Sequence, residues 1–290
     1  MNVLLWDTET TGLDPSKAFI ISNGSVLWNS ETGKVSEFYE ELNWFLILGK
    51  NFTIPQATID VHGITEEALQ RNGIDPVTSM SNFYKWIKDF CGDEKLNVCA
   101  AFNLPYDLNM FKSNLLLMVN VLKKRFYSNV DGSINENLSI ENCEDENIKT
   151  RLQEFENVEK LLDLFSRSGD TYNIETESNK PLFIDSLIID QIFHFEVDGE
   201  KVPHNLDAVG NRYGFPTDPN AHNAIYDTRR TFEVFKLQLK ELKEEHNIDI
   251  LNPSFEARLK RRYDRNQDYW KKSNGLDYFA NRMKQVEVNI

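Results

Sequence analysis

The strongest constraint on the fold is an apolar run that ends in two acids near the start of the chain. Residues 3–6 (Val, Leu, Leu, Trp) predict a short buried strand, and Asp7 and Glu9 follow it directly. Because alternate residues of a strand point to the same face, the two carboxylates are expected to converge. Such acids repel each other, and a divalent cation removes that repulsion. The pair therefore predicts a magnesium or manganese site, although a helix cap or an exposed turn would explain D-x-E alone.

The remaining hydrophobic pattern predicts a mixed α/β sheet flanked by helices. Further strands are expected at 18–28, 35–46, 96–101 and 182–185, with a hairpin turn at 30–33, and helices are expected at 79–91, 105–126, 205–213 and 223–246. Consecutive strands followed by alternating helices and strands are typical of this architecture.

Composition excludes several classes of protein. The 290 residues include 46 acids and 32 bases, so the net charge of −14 argues against a broad polyanion-binding surface. Three cysteines without C-x-x-C spacing argue against a disulfide framework or a zinc site and favour a reducing compartment. Asp7 interrupts any signal peptide, and the longest apolar run, 115–119, is far shorter than the roughly 20 residues that span a bilayer. We expect a soluble cytoplasmic protein without membrane contact.

Two further motifs carry acids at predicted helix starts. Asn103 and Asp107 follow the strand at 96–101, where a helix N-cap is the simple alternative for Asp107. His222 and Asp227 form H-x-x-x-x-D at the start of the last long helix, a spacing that is weak evidence alone.

Taken in order, the three motifs resemble those of the DEDDh, or DnaQ-like, 3′→5′ exonucleases, which have an RNase H-like fold. Residues 7–12 match the first family motif, residues 61–65 resemble a segment near the substrate cleft, and residues 205–214 resemble the helix and turn before the last motif. His222 stands at the DEDDh position, whereas the sister group would have Tyr at position 223. Phe102 departs from the His that the family often has before Asn103.

The resemblance implies phosphodiester hydrolysis with two divalent cations, Mg²⁺ or Mn²⁺. It implies that Asp7 bridges both cations, that Glu9 and Asp227 hold the cation carrying the nucleophilic water, and that Asp107 mainly serves the second. It makes His222 the general base for that water.

The resemblance also implies contacts to the terminal nucleotide. Thr10, Thr11 and Leu13 would contact its sugar and wedge its base, although Leu13 could simply be packed. His62 is a candidate phosphate or sugar contact or a satisfied turn histidine, and Asn103 could contact substrate or only orient the loop that bears Asp107.

Two segments make this chain longer than a compact member of the family would be. We expect a domain over 1–250 with a helical, acidic insertion at about 128–181, and a basic helical extension at 251–290. Residues 131–160 contain nine acids and three bases, which predicts a solvated helix or loop that could cover the cleft, bind a partner or dimerise. Residues 254–290 contain nine bases and five acids among aromatic residues, a pattern that suits single-stranded nucleic acid or an amphipathic helix packed on the core.

The sequence thus predicts a metal-dependent 3′→5′ exonuclease that releases nucleoside 5′-monophosphates from single-stranded DNA ends, in a proofreading or phage-type role with a possible polymerase partner. The alternatives are an RNA 3′-end trimming enzyme or oligoribonuclease, a non-catalytic nucleic-acid-binding subunit, and an endonuclease of RNase H type.

Overall fold

A mixed sheet with helices on both faces organises the chain. The structure, a computed structural model, describes residues 1–127, 143, 145–165, 181–194, 196–197, 200–217 and 221–249. The strands are β1 (Asn2–Thr10), β2 (Ile20–Asn29), β3 (Val35–Glu41), β4 (Leu96–Ala101), β5 (Leu182–Asp185), β6 (Glu196–Val197) and β7 (Glu200–Lys201). The α-helices are α1 (Phe45–Leu48), α2 (Gln56–His62), α3 (Glu66–Asn72), α4 (Pro76–Cys91), α5 (Leu104–Tyr127), α6 (Glu146–Phe165), α7 (Ser186–Phe193), α8 (Leu206–Arg212) and α9 (Ala224–Glu244).

The strand order of the large sheet is β3-β2-β1-β4-β5. β2 pairs antiparallel with both β1 and β3, whereas β4 is parallel to β1 and β5 is parallel to β4. β6 and β7 form a separate hairpin. The prediction of a mixed α/β sheet is confirmed, with the acid-bearing strand β1 at its centre.

The alternation of side chains along β1 divides the core into two layers. Leu4 and Trp6 pack in a cluster with residues of α4, α5 and α6, whereas Val3 and Leu5 pack with residues of α7 and α9 on the opposite face. All four side chains are buried. Because β1 is covered on both faces, its sequence is continuously apolar from Val3 to Trp6.

Helix α6 lies within the predicted insertion and belongs to the core. Phe155, Val158, Leu161 and Phe165 are buried at helical spacing, while most of the acids between them lie on the outer face. The Phe165 ring centroid lies 5.3 Å from that of Trp6. The expectation of a helix is confirmed, but the expectation that it would be solvated is wrong, because one apolar stripe is enough to dock it.

Some boundaries differ from the prediction. Strand β3 ends at Glu41, not at residue 46, because the chain turns at Asn43, whose backbone N–H donates to the Ile74 carbonyl at 2.7 Å. The remainder of the predicted insertion and the predicted extension at 251–290 lie outside the described residues. No helix among the described parts of the chain combines the length and apolar character that a membrane span requires.

Candidate active site

Strand β1 carries the first two acids of the site. Asp7 and Glu9 continue the face of the strand that Val3 and Leu5 begin, so both point toward α9, as the two-residue period predicts. In the pairing with β2, Asp7 lies opposite Gly24 and Glu9 lies opposite Ser22. The carboxylates therefore lie where the apolar face of β1 gives way to polar residues.

Helix α9 brings Asp227 to this face. Its first turn lies so close to β2 that a Cβ on Gly24 would be 2.2 Å from the carbonyl carbon of Ala224, so only glycine fits. The Thr228 hydroxyl fixes the contact by donating to the Gly24 carbonyl at 2.8 Å. Carboxylate oxygens of Asp7, Glu9 and Asp227 lie within 4.8 Å of one another.

Asp107 is a fourth acid whose charge acts on this group. It lies in the first turn of α5, is buried, and accepts a hydrogen bond from the Thr8 hydroxyl at 2.8 Å. The charges of Asp7 and Asp107 are close enough to affect each other. The structure thus gathers the four predicted acids from three separate elements.

Burial and mutual repulsion shape the electrostatics of this cluster. Burial, followed by the charges of Asp107, Glu9 and Asp227, raises the pKa of Asp7 well above its ordinary value. Burial, and then Asp227 and Asp107, raise the pKa of Glu9 to about 8. Burial is also the main cause that raises the pKa of Asp107 to about 7 and raises that of Asp227. A cluster of this kind is stabilised by positive charge, and its oxygen donors suit a hard divalent cation.

His222 stands beside the acids in a constrained turn. Its backbone is left-handed, with φ of 66°, and its backbone N–H donates to Asp227 Oδ2 at 3.0 Å. Residues 218–220, just before this turn, lie outside the described residues. Among the described residues, the position of His222 is therefore fixed by its connection to α9.

A cavity of about 320 Å³ joins Asp7, Glu9, Asp227 and His222, but not Asp107, with most of the predicted substrate contacts. It is lined by Asp7, Thr8, Glu9, Thr10, Gly12, Leu13, Thr58, Val61, His62, Asn103, Tyr106, His222 and Asp227. None of these described lining residues is Lys or Arg. No Lys or Arg side chain of the described lining would therefore compete with a cation for the acids.

The predicted substrate contacts differ in whether their side chains reach the cavity. The Leu13 side chain is 77% exposed at the cavity edge, so the packing alternative does not describe it. Thr11 is buried and its hydroxyl accepts from the Phe19 N–H at 2.9 Å, so this side chain faces away from the cavity. His62 lines the cavity while its Nδ1 accepts from the Ile64 N–H at 3.0 Å, and burial lowers its pKa.

Asp185 is a buried acid that the sequence reasoning did not assign to the site. It accepts hydrogen bonds from the backbone N–H groups of Asn103 and Leu187, each at 3.0 Å, and its charge raises the pKa of Asp107. Asn103 itself has φ of 64°. The available signal was the position of Asp185 at the end of an apolar strand, the same position that drew attention to Asp7.

Tyr106 is a second residue at the site that the sequence analysis did not identify. Its hydroxyl lies 2.6 Å from Thr10 Oγ1 and donates to the Gly12 carbonyl at 3.2 Å. It thereby ties the first turn of α5 to the turn that carries Leu13.

A larger groove of about 670 Å³ lies between α4 and α6, and its lining includes none of the predicted site residues. Its mixture of Lys, Asp and Glu side chains lacks the convergence of acids that marks the smaller cavity. The chemistry therefore favours the smaller cavity as the site.

Comparison with known proteins gave one sequence relative. No protein-family model matches the chain. The 3′-5′ DNA exonuclease Cap18 of Escherichia coli is 29% identical over 101 residues, which cover 35% of this chain and 50% of Cap18. The chain thus matches about half of that relative.

Solved structures of exonuclease I share the fold. E. coli exonuclease I, in complex with a dT13 oligonucleotide, is 12% identical with a TM-score of 0.51, over 84% of this chain and 42% of that enzyme. Exonuclease I from Methylocaldum szegediense is 13% identical, also with a TM-score of 0.51, over 84% of this chain and 41% of the other. The sequence match and the shared RNase H-like fold therefore confirm that this chain resembles the DEDDh, or DnaQ-like, 3′→5′ exonucleases.

Proposed function

We propose that the chain is a metal-dependent 3′→5′ exonuclease that acts on single-stranded DNA and releases nucleoside 5′-monophosphates. The observation that carries the proposal is the convergence of Asp7, Glu9 and Asp227 within 4.8 Å, beside His222 in one cavity. The match to Cap18, a DNA exonuclease, and the fold shared with an exonuclease I that was crystallised with an oligonucleotide support DNA as the substrate.

The acids would act as cation ligands. Asp7, Glu9 and Asp227 offer oxygens to one position, and Asp107, whose charge acts on Asp7, would help to hold a second cation. When bound, two divalent cations supply charge stabilisation for the phosphate and a more acidic water molecule. The raised pKa values of the cluster fit this role, because a bound cation compensates the repulsion that raises them.

His222 would accept the proton from the attacking water. A neutral imidazole can take up a proton at neutral pH, and general-base groups of this kind contribute about 10²–10⁴-fold to rate. The hydrogen bond from its backbone N–H to Asp227 keeps the histidine turn next to the acids.

The terminal nucleotide would rest against the cavity walls. Leu13 offers an exposed apolar surface to the last base, and Thr10, His62 and Asn103 offer polar atoms for its sugar and phosphate. Contacts of this type tolerate any base. The Thr11 side chain is not part of this proposal, because it is buried and does not line the described cavity.

The test is digestion of 5′-labelled single-stranded DNA and RNA of the same sequence, side by side, with Mg²⁺ or Mn²⁺. We expect the DNA to shorten progressively from its 3′ end and to yield nucleoside 5′-monophosphates, and we expect a chelator to stop the reaction. Preferential shortening of RNA would instead favour the exoribonuclease alternative, and internal cuts would favour an endonuclease.

A pair of variants assigns the activity to this site. Asp7→Asn should abolish digestion, whereas Asp89→Asn, which changes an exposed acid on α4, should leave the rate unchanged. Digestion by Asp7→Asn at the wild-type rate would refute the proposal. A polymerase partner and a cytoplasmic location remain predictions from the sequence.

A further inference from the structure

Three residues in one row across the sheet define the seat of helix α9. Asp7 pairs with Gly24, and Gly24 pairs with Tyr39 on β3. Directly opposed residues of antiparallel strands have side chains on the same face, so Asp7 and Tyr39 flank the position where Gly24 has no side chain. The backbone of Ala224 and Ile225 occupies that gap. The first turn of α9 therefore lies between the Asp7 carboxylate and the Tyr39 ring.

The Tyr39 hydroxyl is held at both of its hydrogen-bonding positions. It donates to Glu41 Oε1 at 3.1 Å, and the Asn223 side chain hydrogen-bonds to it. Burial, with the charge of Glu41, raises the pKa of Tyr39, so the hydroxyl keeps its proton for the bond to Glu41. Glu41 lies on the same face of β3, two residues further along the strand.

Asn223 connects this hydroxyl to His222. Asn223 is the N-cap of α9, and its Oδ1 accepts from the Ile225 N–H at 3.3 Å. Its side-chain amide is thus shared between the helix end and Tyr39. His222 comes directly before it, in a left-handed backbone conformation that is uncommon for a residue with a side chain.

We infer that Tyr39 is a positioning residue for His222: its hydroxyl fixes the Asn223 side chain and thereby the turn that holds the imidazole beside the acids. Tyr39 contributes no atom to the described lining of the cavity, so it acts through Asn223 and not on substrate. This inference rests on the proposed function, in which His222 accepts a proton.

The decisive variant is Tyr39→Phe, which removes the hydroxyl and keeps the ring that borders α9. We expect kcat to fall about tenfold, because a small displacement of a general base is costly, while KM changes little. Tyr226→Phe is the matched control, since it removes a hydroxyl from an exposed ring in the first turn of α9, and it should leave kcat unchanged.

A double-mutant cycle separates positioning from a general structural role. In a His222→Ala background, Tyr39→Phe should cause no further loss of kcat, because the group that it positions is gone. An equal loss in both backgrounds would overturn the inference, and so would wild-type kcat in Tyr39→Phe alone.

A measurement without turnover distinguishes this inference from the proposed function. In ¹³C-histidine-labelled protein, with the His222 signal assigned through the His222→Ala spectrum, Tyr39→Phe should shift or broaden that signal. An unchanged signal would overturn the inference even if the variant were poorly active or less stable. An inactive wild type with a shifted His222 signal would overturn the function and leave the positioning of His222 by Tyr39 intact.

Discussion

At the scale of single residues, the acids of the site are held in an unfavourable state when no cation is bound. An unfolded Glu has a pKa near 4.3, whereas burial and neighbouring acids raise that of Glu9 to about 8. The folded chain therefore holds this proton more tightly than the unfolded chain does. The stability contributed by Glu9 is present below about pH 4.3 and is lost as the pH rises to about 8. Asp107, with its pKa raised to about 7, acts in the same direction.

This linkage predicts pH-dependent melting. In the presence of a chelator, the protein should melt several degrees lower at pH 8 than at pH 6, and saturating Mn²⁺ at pH 8 should restore the loss, because a ligand at about a hundred times its Kd adds about 2.7 kcal/mol. Differential scanning fluorimetry measures both effects.

Glu9→Gln should flatten the pH dependence, while Glu67→Gln, at an exposed position on α3, should not. A chelated wild type that melts at a higher temperature at pH 8 than at pH 6 would show that the raised pKa values are not those of the folded protein.

Residues of the site differ in how well the sequence reveals them. Asp7, Glu9, Asp107, His222 and Asp227 stand in local motifs, because strand ends and helix starts constrain their neighbours in the chain. Asp185, Tyr106 and Tyr39 reach the site through contacts with Asn103, Thr10 and Asn223, which are 82 or more positions away and which no local pattern encodes.

At the scale of secondary-structure elements, the close approach of α9 to β2 determines where Asp227 lies. The helix packs on this face through Ile225, Phe232 and Phe235, and the contact of the Trp28 and Phe232 rings, with centroids 5.7 Å apart, adds to it further along. Apolar packing alone would allow the helix to slide, whereas the fit of its first turn over Gly24 fixes its height along the strand.

Gly24→Ala tests that fit. The added methyl group would meet backbone atoms at 2.2 Å, so the helix must move, at a cost of about 1–3 kcal/mol. We expect a lower melting temperature and a loss of activity out of proportion to it, because Asp227 and His222 move away from Asp7. Ser22→Ala is the control on the same strand and face, since the Ser22 hydroxyl is buried and has no hydrogen-bond partner among the described residues. Full activity of Gly24→Ala would mean that α9 is free to adjust.

Helix α6 shows why the sequence did not reveal that part of the predicted insertion packs in the core. Residues 131–160 contain nine acids and three bases, and this composition averages over the faces of the helix, whereas the apolar stripe contacts the core at only a few positions. The Phe165 ring lies 5.2 Å from Phe111 and 6.0 Å from Phe183, between the helix that carries Asp107 and the strand that carries Asp185.

Phe165→Ala should therefore destabilise the protein by about 3–5 kcal/mol, as expected for truncation of a buried aromatic ring. Ile148→Ala, which changes an exposed residue near the start of the same helix, should cost much less. Chemical denaturation measures both changes. A cost for Phe165→Ala no larger than that for Ile148→Ala would mean that the helix does not belong to the core.

At the scale of the whole molecule, the charge distribution constrains how nucleic acid could bind. The net charge is −14, yet the described cavity contains a cluster of acids that a cation would neutralise, and residues 254–290 carry a basic excess. We therefore expect the attraction to phosphates to come from local groups and not from the protein as a whole.

The predicted role of the extension can be tested through salt dependence. Lys271→Gln combined with Lys272→Gln should weaken binding of single-stranded DNA and lower the slope of log affinity against log salt by about 1–2, as for loss of one or two phosphate contacts. Lys50→Gln combined with Lys85→Gln changes two exposed residues away from the cavity and should leave the slope unchanged. Fluorescence anisotropy without divalent cations measures both, and equal slopes would count against a nucleic-acid role for the extension.

The fold was predictable from the sequence where a pattern repeats locally, and less so where distant segments meet. Strands β1, β4 and β5 of the main sheet follow short apolar runs, and the long helices α4, α5 and α9 follow helical spacing. Helices α2 and α3 were missed because seven residues each provide too few turns for a period to be visible. No local pattern predicts the register of β2 against β3, although this register decides which side chains border α9.

The distance along the chain between Asp7 and Asp227 has a consequence for biosynthesis. During synthesis, β1 leaves the ribosome early. Asp227 joins Asp7 and Glu9 only after residue 227 has emerged and α9 has docked over Gly24. A nascent chain that stops at α8 would have three of the four proposed cation ligands, Asp7, Glu9 and Asp107, but neither Asp227 nor His222. The order of the elements thus delays the proposed nuclease activity until most of the fold has formed.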